Sequence, residues 1–272
     1  MHNFGISINH EIMTRWNLHK CNSPDEVYQI LKTDRIWAGY AICDLESPLW
    51  ERSAFYCVHR GKSCALVLHV DTKSFQVLTA FGITEGVNAA WLQIPLPEKA
   101  WISLRTETEM KHFCRFYHVN DLQSMWRLHL PKFSARISAH NYPVTQLGVD
   151  RQPEIEILLR EHEECAYSPE QLQRGVFFGV EDRGKIVSLV GTHVVSAKYK
   201  LAAVGNAFTH PKYRSKGYFR TCLSAVLDRL FSMGITDVVA NVIQDNLPSL
   251  KGALSVGFKK YCPYWEGIAY RR

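Results

Sequence analysis

Patterns typical of an export signal or a membrane span are missing from the sequence. No apolar run among its 272 residues is long enough to span a bilayer. The first residues, MHNFGISINHEIMTRW, carry no basic stretch followed by an apolar one, as a signal peptide would. From these absences we predict a soluble, cytoplasmic protein that has no membrane partner.

Spacings typical of metal sites are missing as well. The eight cysteines form no CxxC pair, and the twelve histidines form no HxxxH or HExxH motif. We therefore predict no metal site. In a chain of this length without an export signal, the cysteines are expected to be reduced and mostly buried thiols.

Basic residues are only slightly more numerous than acidic residues. Lys and Arg number 32 against 26 Asp and Glu, a net charge of +6, and long basic runs are absent. The missing runs argue against a nucleic-acid partner, whereas the mild excess suits a polyanionic ligand. The phosphate-binding motifs GxxxxGK[ST] and GxGxxG are both absent.

Hydrophobic periodicity and turn residues predict the elements of the first half. A helix follows the cap Ser23 and Pro24, and two β-rich runs flank Gly61-Lys62 as a hairpin. The predicted elements after the helix are strands over 53–60, 63–70 and 75–82, a short helix over 86–94, a strand over 100–106, a helix over 109–117 and a strand over 124–131.

The second half has clearer periodicity. Its strongest pattern is an apolar stripe from Phe219 to Phe231, which predicts a helix over 214–233 facing a sheet. The other predicted elements are a helix over 153–164, a hairpin of strands 175–183 and 185–197, a strand over 201–210, a strand over 237–244, a helix over 246–256, and a closing strand or pair of strands over 258–270.

A polar connector, roughly residues 134–150, separates the two halves. We place the boundary inside it, giving domains 1–140 and 141–272. Each half runs as strands, helix, strand, helix, strand. The predicted class is α+β, with two mixed α/β domains.

The segment HPKYRSKGYFR, residues 210–220, joins an apolar strand to the strongest helix. A helix N-terminus offers free N–H groups and a partial positive charge, and so binds phosphate readily. Gly217 lets the backbone approach an anion closely, and Arg214 and Lys216 add charge-assisted contacts. The alternative is that these two cations are merely solvated, although the helix dipole disfavours cations at this end. The pattern predicts a pyrophosphate site.

This segment resembles the acyl-CoA-binding segment of the GCN5-related N-acetyltransferase (GNAT) superfamily. The family pattern [Q/R]-x-x-G-x-[G/A] lies between a strand and a helix, and the resemblance extends over roughly residues 150–270, including Asn246 and Gly257-Phe258. The first half of the chain resembles the degenerate N-terminal halves of two-domain members. In the second half, the family pattern falls on Arg214, Ser215, Lys216, Gly217, Tyr218 and Phe219.

The resemblance implies that these six residues, with Phe208, Thr209 and Asn246, bind coenzyme A. Two positions depart from the family: Phe219 replaces a Gly or Ala, and Ala253 stands where a Tyr often protonates the departing thiolate. Tyr261, Tyr264 and Tyr270 are the alternative acids, or else packed aromatic residues.

The family transfers an acyl group from CoA to an amine, which implies an acyl-polarising backbone at residues 206–209 and a general base. The strand over 201–210 has no carboxylate. His193 is the best titratable candidate for the base, the alternative being a histidine packed in the sheet. Asn206 is expected to hydrogen-bond at the same place.

The function implied is an acetyl-CoA-dependent N-acyltransferase acting on a primary amine, most simply a small molecule. Three alternatives stay open: a CoA-binding regulatory module without turnover, a scaffold that has lost CoA binding, and an amino-acid acyltransferase that uses larger acyl-CoAs. The acceptor and the oligomeric state are not encoded in any pattern that we recognise.

Overall fold

The computed structural model describes residues 15–72, 75–136, 142–160 and 167–272. The chain divides into two compact units, Met1–Ser124 with Pro263–Arg272, and Met125–Cys262. The predicted boundary between residues 140 and 141, and the last part of the predicted helix 153–164, lie outside the described residues. In the described part of the chain, no helix combines the length and the apolar character needed to cross a bilayer.

The N-terminal unit is a mixed sheet covered by helices. Its elements are β1 (Asn17–Lys20), α1 (Pro24–Leu31), α2 (Gly39–Cys43), β2 (Ser53–Arg60), β3 (Ser63–Asp71), β4 (Gln76–Gly82), α3 (Thr84–Trp91), β5 (Lys99–Leu104), α4 (Glu107–Phe113) and β6 (Tyr117–Val119). The sequence missed β1, α2 and β6, because each is too short to show a period.

Strand pairing in this unit follows the chain. The order is β1-β2-β3-β4-β5, and the only parallel pair among these described strands, β4 with β5, is joined through α3. The last strand, β13 (Lys259–Arg271), pairs antiparallel with β5 and β6 through its residues Trp265 to Arg271. The core lies between α3 and the sheet, around Val67, Trp91 and Ile102.

The C-terminal unit is a second mixed sheet with helices on both faces. Its elements are β7 (Gln123–Pro131), β8 (Thr145–Gln146), α5 (Gln152–Leu159), α6 (Pro169–Arg174), β9 (Phe177–Asp182), β10 (Lys185–Ser196), β11 (Leu201–Thr209), α7 (Tyr218–Ser232), β12 (Asp237–Ile243) and α8 (Leu247–Ser255). The strand order is β7-β12-β11-β10-β9-β8, with β11 and β12 parallel.

Two apolar layers hold this sheet. The stripe of α7, with Cys222, Val226 and Leu230, packs with α8 on one face. Leu158 of α5 and Leu172 of α6 pack on the other face. The parallel pair again encloses a strand–helix–strand connection, β11-α7-β12, as β4-α3-β5 does in the N-terminal unit. The similar element order that we predicted for the two halves is therefore real at the level of topology.

The start of α7 corrects the predicted helix 214–233. The helix begins at Tyr218, and Gly217 is its N-terminal flanking residue with a left-handed φ of 87°. Ser215 also has a positive φ, 63°. A right-handed helix cannot pass through two left-handed residues, so the segment from Arg214 to Gly217 is a loop.

Candidate functional site

The parallel strands β11 and β12 part halfway along their length. In the described chain they pair from Leu201 with Asp237 to Val204 with Ala240, and no further, although β11 continues to Thr209 and β12 to Ile243. Ligands in open α/β sheets bind in such a crevice at the carboxyl ends of parallel strands.

A β-bulge in β11 accounts for the parting. Gly205 pairs with Gly191 and Phe208 with Leu189, so β11 has one residue more than β10 over this stretch. Asn206 lies in the bulge with a φ of 46°, a conformation that asparagine tolerates better than most residues. Because a bulge bends its strand and leaves backbone groups outside the ladder, it opens the space beside β12.

The space between the parted strands is a narrow, mostly apolar cleft. It holds about 50 Å³ of water-accessible volume. The polar residues that line it are Ser249 of α8 and Asn241 of β12, and the buried Oδ1 of Asn241 has no hydrogen-bond partner in the described part of the chain. An amide group entering the cleft could satisfy that oxygen by donating to it. The lining residues are Val190, Val204, Gly205, Ala207, Phe219, Leu223, Ala240, Asn241, Val242, Ser249, Ala253 and Phe258.

The loop before α7 forms a concave backbone surface at the helix N-terminus. Its two left-handed residues, Ser215 and Gly217, flank Lys216. Alternation of right- and left-handed residues aims successive N–H groups to one side, which makes an anion-binding concavity. The space beside Gly217 is open, because the nearest atom to an added Cβ would be Cε2 of Tyr142 at 4.0 Å.

The two predicted cations lie at this loop and are exposed. Arg214 donates from Nε to the backbone oxygen of Thr209 at 3.1 Å, and so caps the end of β11. Nζ of Lys216 lies 5.1 Å from the ring centre of Tyr213. Neither cation pairs with a carboxylate among the ion pairs of the described residues. No carboxylate in these ion pairs therefore neutralises the positive charge of the loop.

The side chains of three other predicted cofactor-binding residues make contacts within the protein. The Phe208 ring is buried between the sheet and the α5–α6 layer. Oγ1 of Thr209 lies 2.8 Å from Oγ of Ser188 and ties β11 to β10. Asn246 caps α8, its Oδ1 accepting from the backbone N–H of Ser249 at 3.2 Å. Of the predicted cofactor residues, only Phe219 lines the cleft with its side chain.

Phe219 fills part of the cleft. Its Cε1 lies 2.5 Å from the position that a Cβ on Gly252 would occupy, so the ring rests directly on the backbone of α8. Ala253, the next residue along α8, lines the cleft and is 3% exposed. The place where the resemblance expects a tyrosine hydroxyl is therefore apolar.

The three tyrosines considered as alternative acids bring no hydroxyl to the cleft. Tyr264 is buried and donates to Glu266 at 2.7 Å, while Tyr261 and Tyr270 are 42% and 46% exposed. None of the three is among the residues that line the cleft. Ser249 is the hydroxyl that the cleft offers instead.

His193 and Asn206 meet through a residue that the sequence did not reveal, Gln171 of α6. Oε1 of Gln171 accepts from Nδ2 of Asn206 at 2.9 Å, and its Nε2 lies 3.4 Å from Nδ1 of His193. Gln171 also closes the N-terminal capping box of α6 with Ser168. A capping signal, Ser-Pro-x-Gln, was present in the sequence, but the side-chain partners of Gln171 lie 22 and 35 residues away.

Burial keeps His193 neutral. Its pKa is lowered from 6.5 to about 4, because desolvation penalises the imidazolium. The ring occupies the space that a side chain at residue 205 would fill, with Nε2 only 1.9 Å from the Cβ position of Gly205. An amide N–H donated to Nδ1 favours the tautomer with its proton on Nε2. The group can therefore orient a ligand, but it is a weak proton acceptor.

The parted strands, the cleft and the N–H concavity define a mixed α/β protein with an open site at the mouth of a parallel strand–helix–strand unit. Residues 137–258 match the family described as the acetyltransferase (GNAT) family. The predicted resemblance of the second half to this family is confirmed.

Solved structures extend the likeness to the rest of the chain. A Drosophila protein solved by X-ray crystallography has a TM-score of 0.72 and 15% identity, covering 93% of this chain and 98% of its own. A GCN5-related N-acetyltransferase from Sphaerobacter thermophilus has a TM-score of 0.58 and 12% identity, covering 94% and 95%. A tandem GNAT protein from the clavulanic acid biosynthesis pathway has a TM-score of 0.53 and 10% identity, covering 94% and 98%.

At sequence identities this low, the comparisons show that this chain shares the fold of these structures. No curated protein is similar enough in sequence to count as a relative. The predicted class is confirmed as a GNAT-like mixed α/β fold of two units.

Proposed function

We propose that this chain is an acetyl-CoA-dependent N-acyltransferase that acts on a primary amine of a small molecule. The observation that carries the proposal is the parting of β11 and β12 beside the N-terminus of α7. That geometry offers an apolar cleft for an extended chain and, at its mouth, an exposed N–H concavity with two cations.

The residues present suit the parts of coenzyme A. The loop from Arg214 to Phe219 would hold the pyrophosphate through backbone N–H groups and the charges of Arg214 and Lys216. The amide-bearing arm would lie in the cleft, where the buried, unpartnered Oδ1 of Asn241 offers an acceptor. Acetyl-CoA would supply an activated acyl group as a thioester.

The chain's own contribution to transfer would be orientation and polarisation. Backbone N–H groups at the Asn206 bulge lie outside the regular ladder and can polarise an acyl oxygen. Asn206, Gln171 and His193 form a linked polar group that can hold an amine in place. Holding the two reactants together supplies much of the rate in such reactions. Since the pKa of His193 is low, we expect the amine proton to leave through water rather than onto this imidazole.

A matched pair of glycines tests the phosphate site. Gly217 and Gly234 have φ values of 87° and 88°, and neither has an atom closer than 4.0 Å to an added Cβ. Alanine at either residue should therefore cost a similar strain, about 1 kcal/mol of stability. Only Gly217→Ala should weaken acetyl-CoA binding, about tenfold, because its Cβ would project at the anion. Calorimetric titration of both variants with acetyl-CoA measures this.

The outcomes separate the proposals. Equal binding by the two variants would contradict the assigned phosphate site, as would full binding by Arg214→Glu. If wild-type protein produces no heat with acetyl-CoA and CoA does not protect it from thermal unfolding, the transferase proposal fails.

Turnover is tested separately with a panel of primary amines, following release of the CoA thiol. Acylation of at least one amine supports the enzyme. The replacement of the family tyrosine by Ala253 favours a second candidate, a CoA-binding regulatory module. Tight binding with no acylation of any amine in the panel would support that candidate.

Phe219 gives a further prediction. Phe219→Ala should strengthen acetyl-CoA binding about tenfold, because the ring now fills cleft space that the arm needs, and it must move aside for the arm to bind. Titration of this variant beside Leu254→Ala, a truncation on the exposed side of α8, measures the effect. Unchanged affinity in Phe219→Ala would mean that the ring does not obstruct the arm.

A further inference from the structure

Four side chains of metal-binding type lie on one face of the ribbon formed by β1 and β2. The two strands are antiparallel, and His19 is paired with Cys57. Cys21 follows His19 by two residues and His59 follows Cys57 by two. Because alternate residues of a strand share a face, all four project to the same side.

The potential ligand atoms of these residues converge on His19. Those of His19, Cys57 and His59 lie within 4.8 Å of one another, and so do those of His19, Cys21 and Glu26. The Cys21 thiol donates a hydrogen bond to the Cys57 sulfur, which links the two groups.

The cluster forms a shallow site with buried thiols and exposed imidazoles. Cys21 and Cys57 are 3% and 5% exposed and form its floor. The side chain of His19 is 42% exposed and His59 is exposed, so both imidazoles lie at the rim. A small ion can reach the thiolates from solvent without opening the fold.

Glu26 of α1 supplies a supporting contact. Its Oε1 lies 2.6 Å from Nε2 of His19. Histidines that bind metals commonly donate their other ring N–H to a carboxylate, which fixes the tautomer and the ring orientation. In this geometry Nδ1 of His19 is the nitrogen left to bind an ion.

We propose that His19, Cys21, Cys57 and His59 bind one Zn²⁺ ion in tetrahedral coordination, with Glu26 orienting His19. Two sulfur and two nitrogen ligands are the set that tetrahedral zinc prefers. Zinc ligand bonds of about 2.0–2.3 Å place neighbouring ligand atoms roughly 3–4 Å apart. The two groups that share His19, each with its ligand atoms within 4.8 Å of one another, would have to draw together around one ion, and the ligating thiols would release their protons.

This proposed site is independent of the proposed transferase function and differs from the prediction of no metal site. That prediction relied on short spacings within the sequence, whereas Cys57 follows Cys21 by 36 positions. The pairing of β1 with β2 brings them together. The site would tie the edge strand β1 and helix α1 to the sheet of the N-terminal unit.

The test uses the full-length, reduced and metal-stripped protein. Zn²⁺ affinity is measured by competition with a chromophoric chelator, and Co²⁺ serves as a spectroscopic substitute. We expect one ion per chain, with Co²⁺ spectra showing tetrahedral geometry and thiolate charge transfer. His59→Ala, an exposed change that leaves the core intact, should weaken Zn²⁺ binding by at least about 100-fold, and Glu26→Gln by about 10-fold.

Matched controls lie elsewhere in the same unit. His118→Ala removes an exposed histidine from β6, and Cys114→Ser a partly buried cysteine near the end of α4. Neither should change the affinity. Equal Zn²⁺ affinity in wild type and His59→Ala, Co²⁺ spectra without thiolate bands, or a Cys21–Cys57 disulfide in protein that binds no Zn²⁺ would each overturn the proposal.

Discussion

Replacing Gly205 with alanine is expected to lower the free energy of unfolding by about 3 kcal/mol, at the high end for an overpacked core. The new methyl group would lie 1.9 Å from Nε2 of His193 and 2.4 Å from its Cδ2. The imidazole cannot keep its position against such a contact. Moving it also breaks the contact with Gln171, on which the orientation of Asn206 depends.

A double-mutant cycle isolates this contact. In a His193→Ala background the space beside residue 205 is vacant, so Gly205→Ala should cost less than about 1 kcal/mol there. Urea denaturation of the four proteins at neutral pH measures both values. The same loss in the two backgrounds would show that strain in the β11 backbone, and not the imidazole, requires glycine at residue 205.

The stability of the protein is expected to fall on mild acidification through His193. Its folded-state pKa is about 4, while in the unfolded chain it titrates near 6.5. Between these pH values the unfolded state binds a proton that the folded state rejects. The stabilisation is therefore complete above about pH 6.5 and is lost as the pH falls, by about 2 kcal/mol near pH 5 and about 3 kcal/mol near pH 4.

Comparison with His193→Gln measures this contribution, since glutamine keeps a polar partner for Gln171 and does not titrate. Carboxylates also lose stabilising charge in acid, so the informative quantity is the difference in unfolding free energy between wild type and variant at each pH. The advantage of wild type over His193→Gln in unfolding free energy should shrink or change sign between pH 7 and pH 5. A constant difference would mean that His193 is protonated in the folded protein at the same pH as in the unfolded chain.

Most of the secondary structure was predictable because its signals are local. The hairpin about Gly61-Lys62, the cap at Ser23 and the apolar stripe of α7 each depend on residues only a few positions apart, and each was confirmed. The start of α7 was predicted wrongly because Arg214 to Gly217 have no helix-breaking proline. Their positive φ angles follow from the turn that joins β11 to α7.

The candidate site was predicted in part. RSKGYF marked the loop before α7, and Ala253, which stands where the resemblance expects a tyrosine, lines the cleft without a hydroxyl. The side chain of Phe208 lies in the core and that of Thr209 forms a contact between strands. Gln171 escaped notice because its short helix shows only a capping pattern.

The sequence by itself determined most of the helices and strands and the resemblance to the GNAT family, since periodicity, caps and a short motif act over neighbouring residues. Tertiary structure alone decided where β11 and β12 part, which face His193 occupies, and that His19, Cys21, Cys57 and His59 share one face. These outcomes depend on strand register. Register aligns the backbone hydrogen bonds of a strand with those of a distant partner strand and decides which side of each strand is buried. Residues far apart in the chain therefore come within a few ångströms of each other.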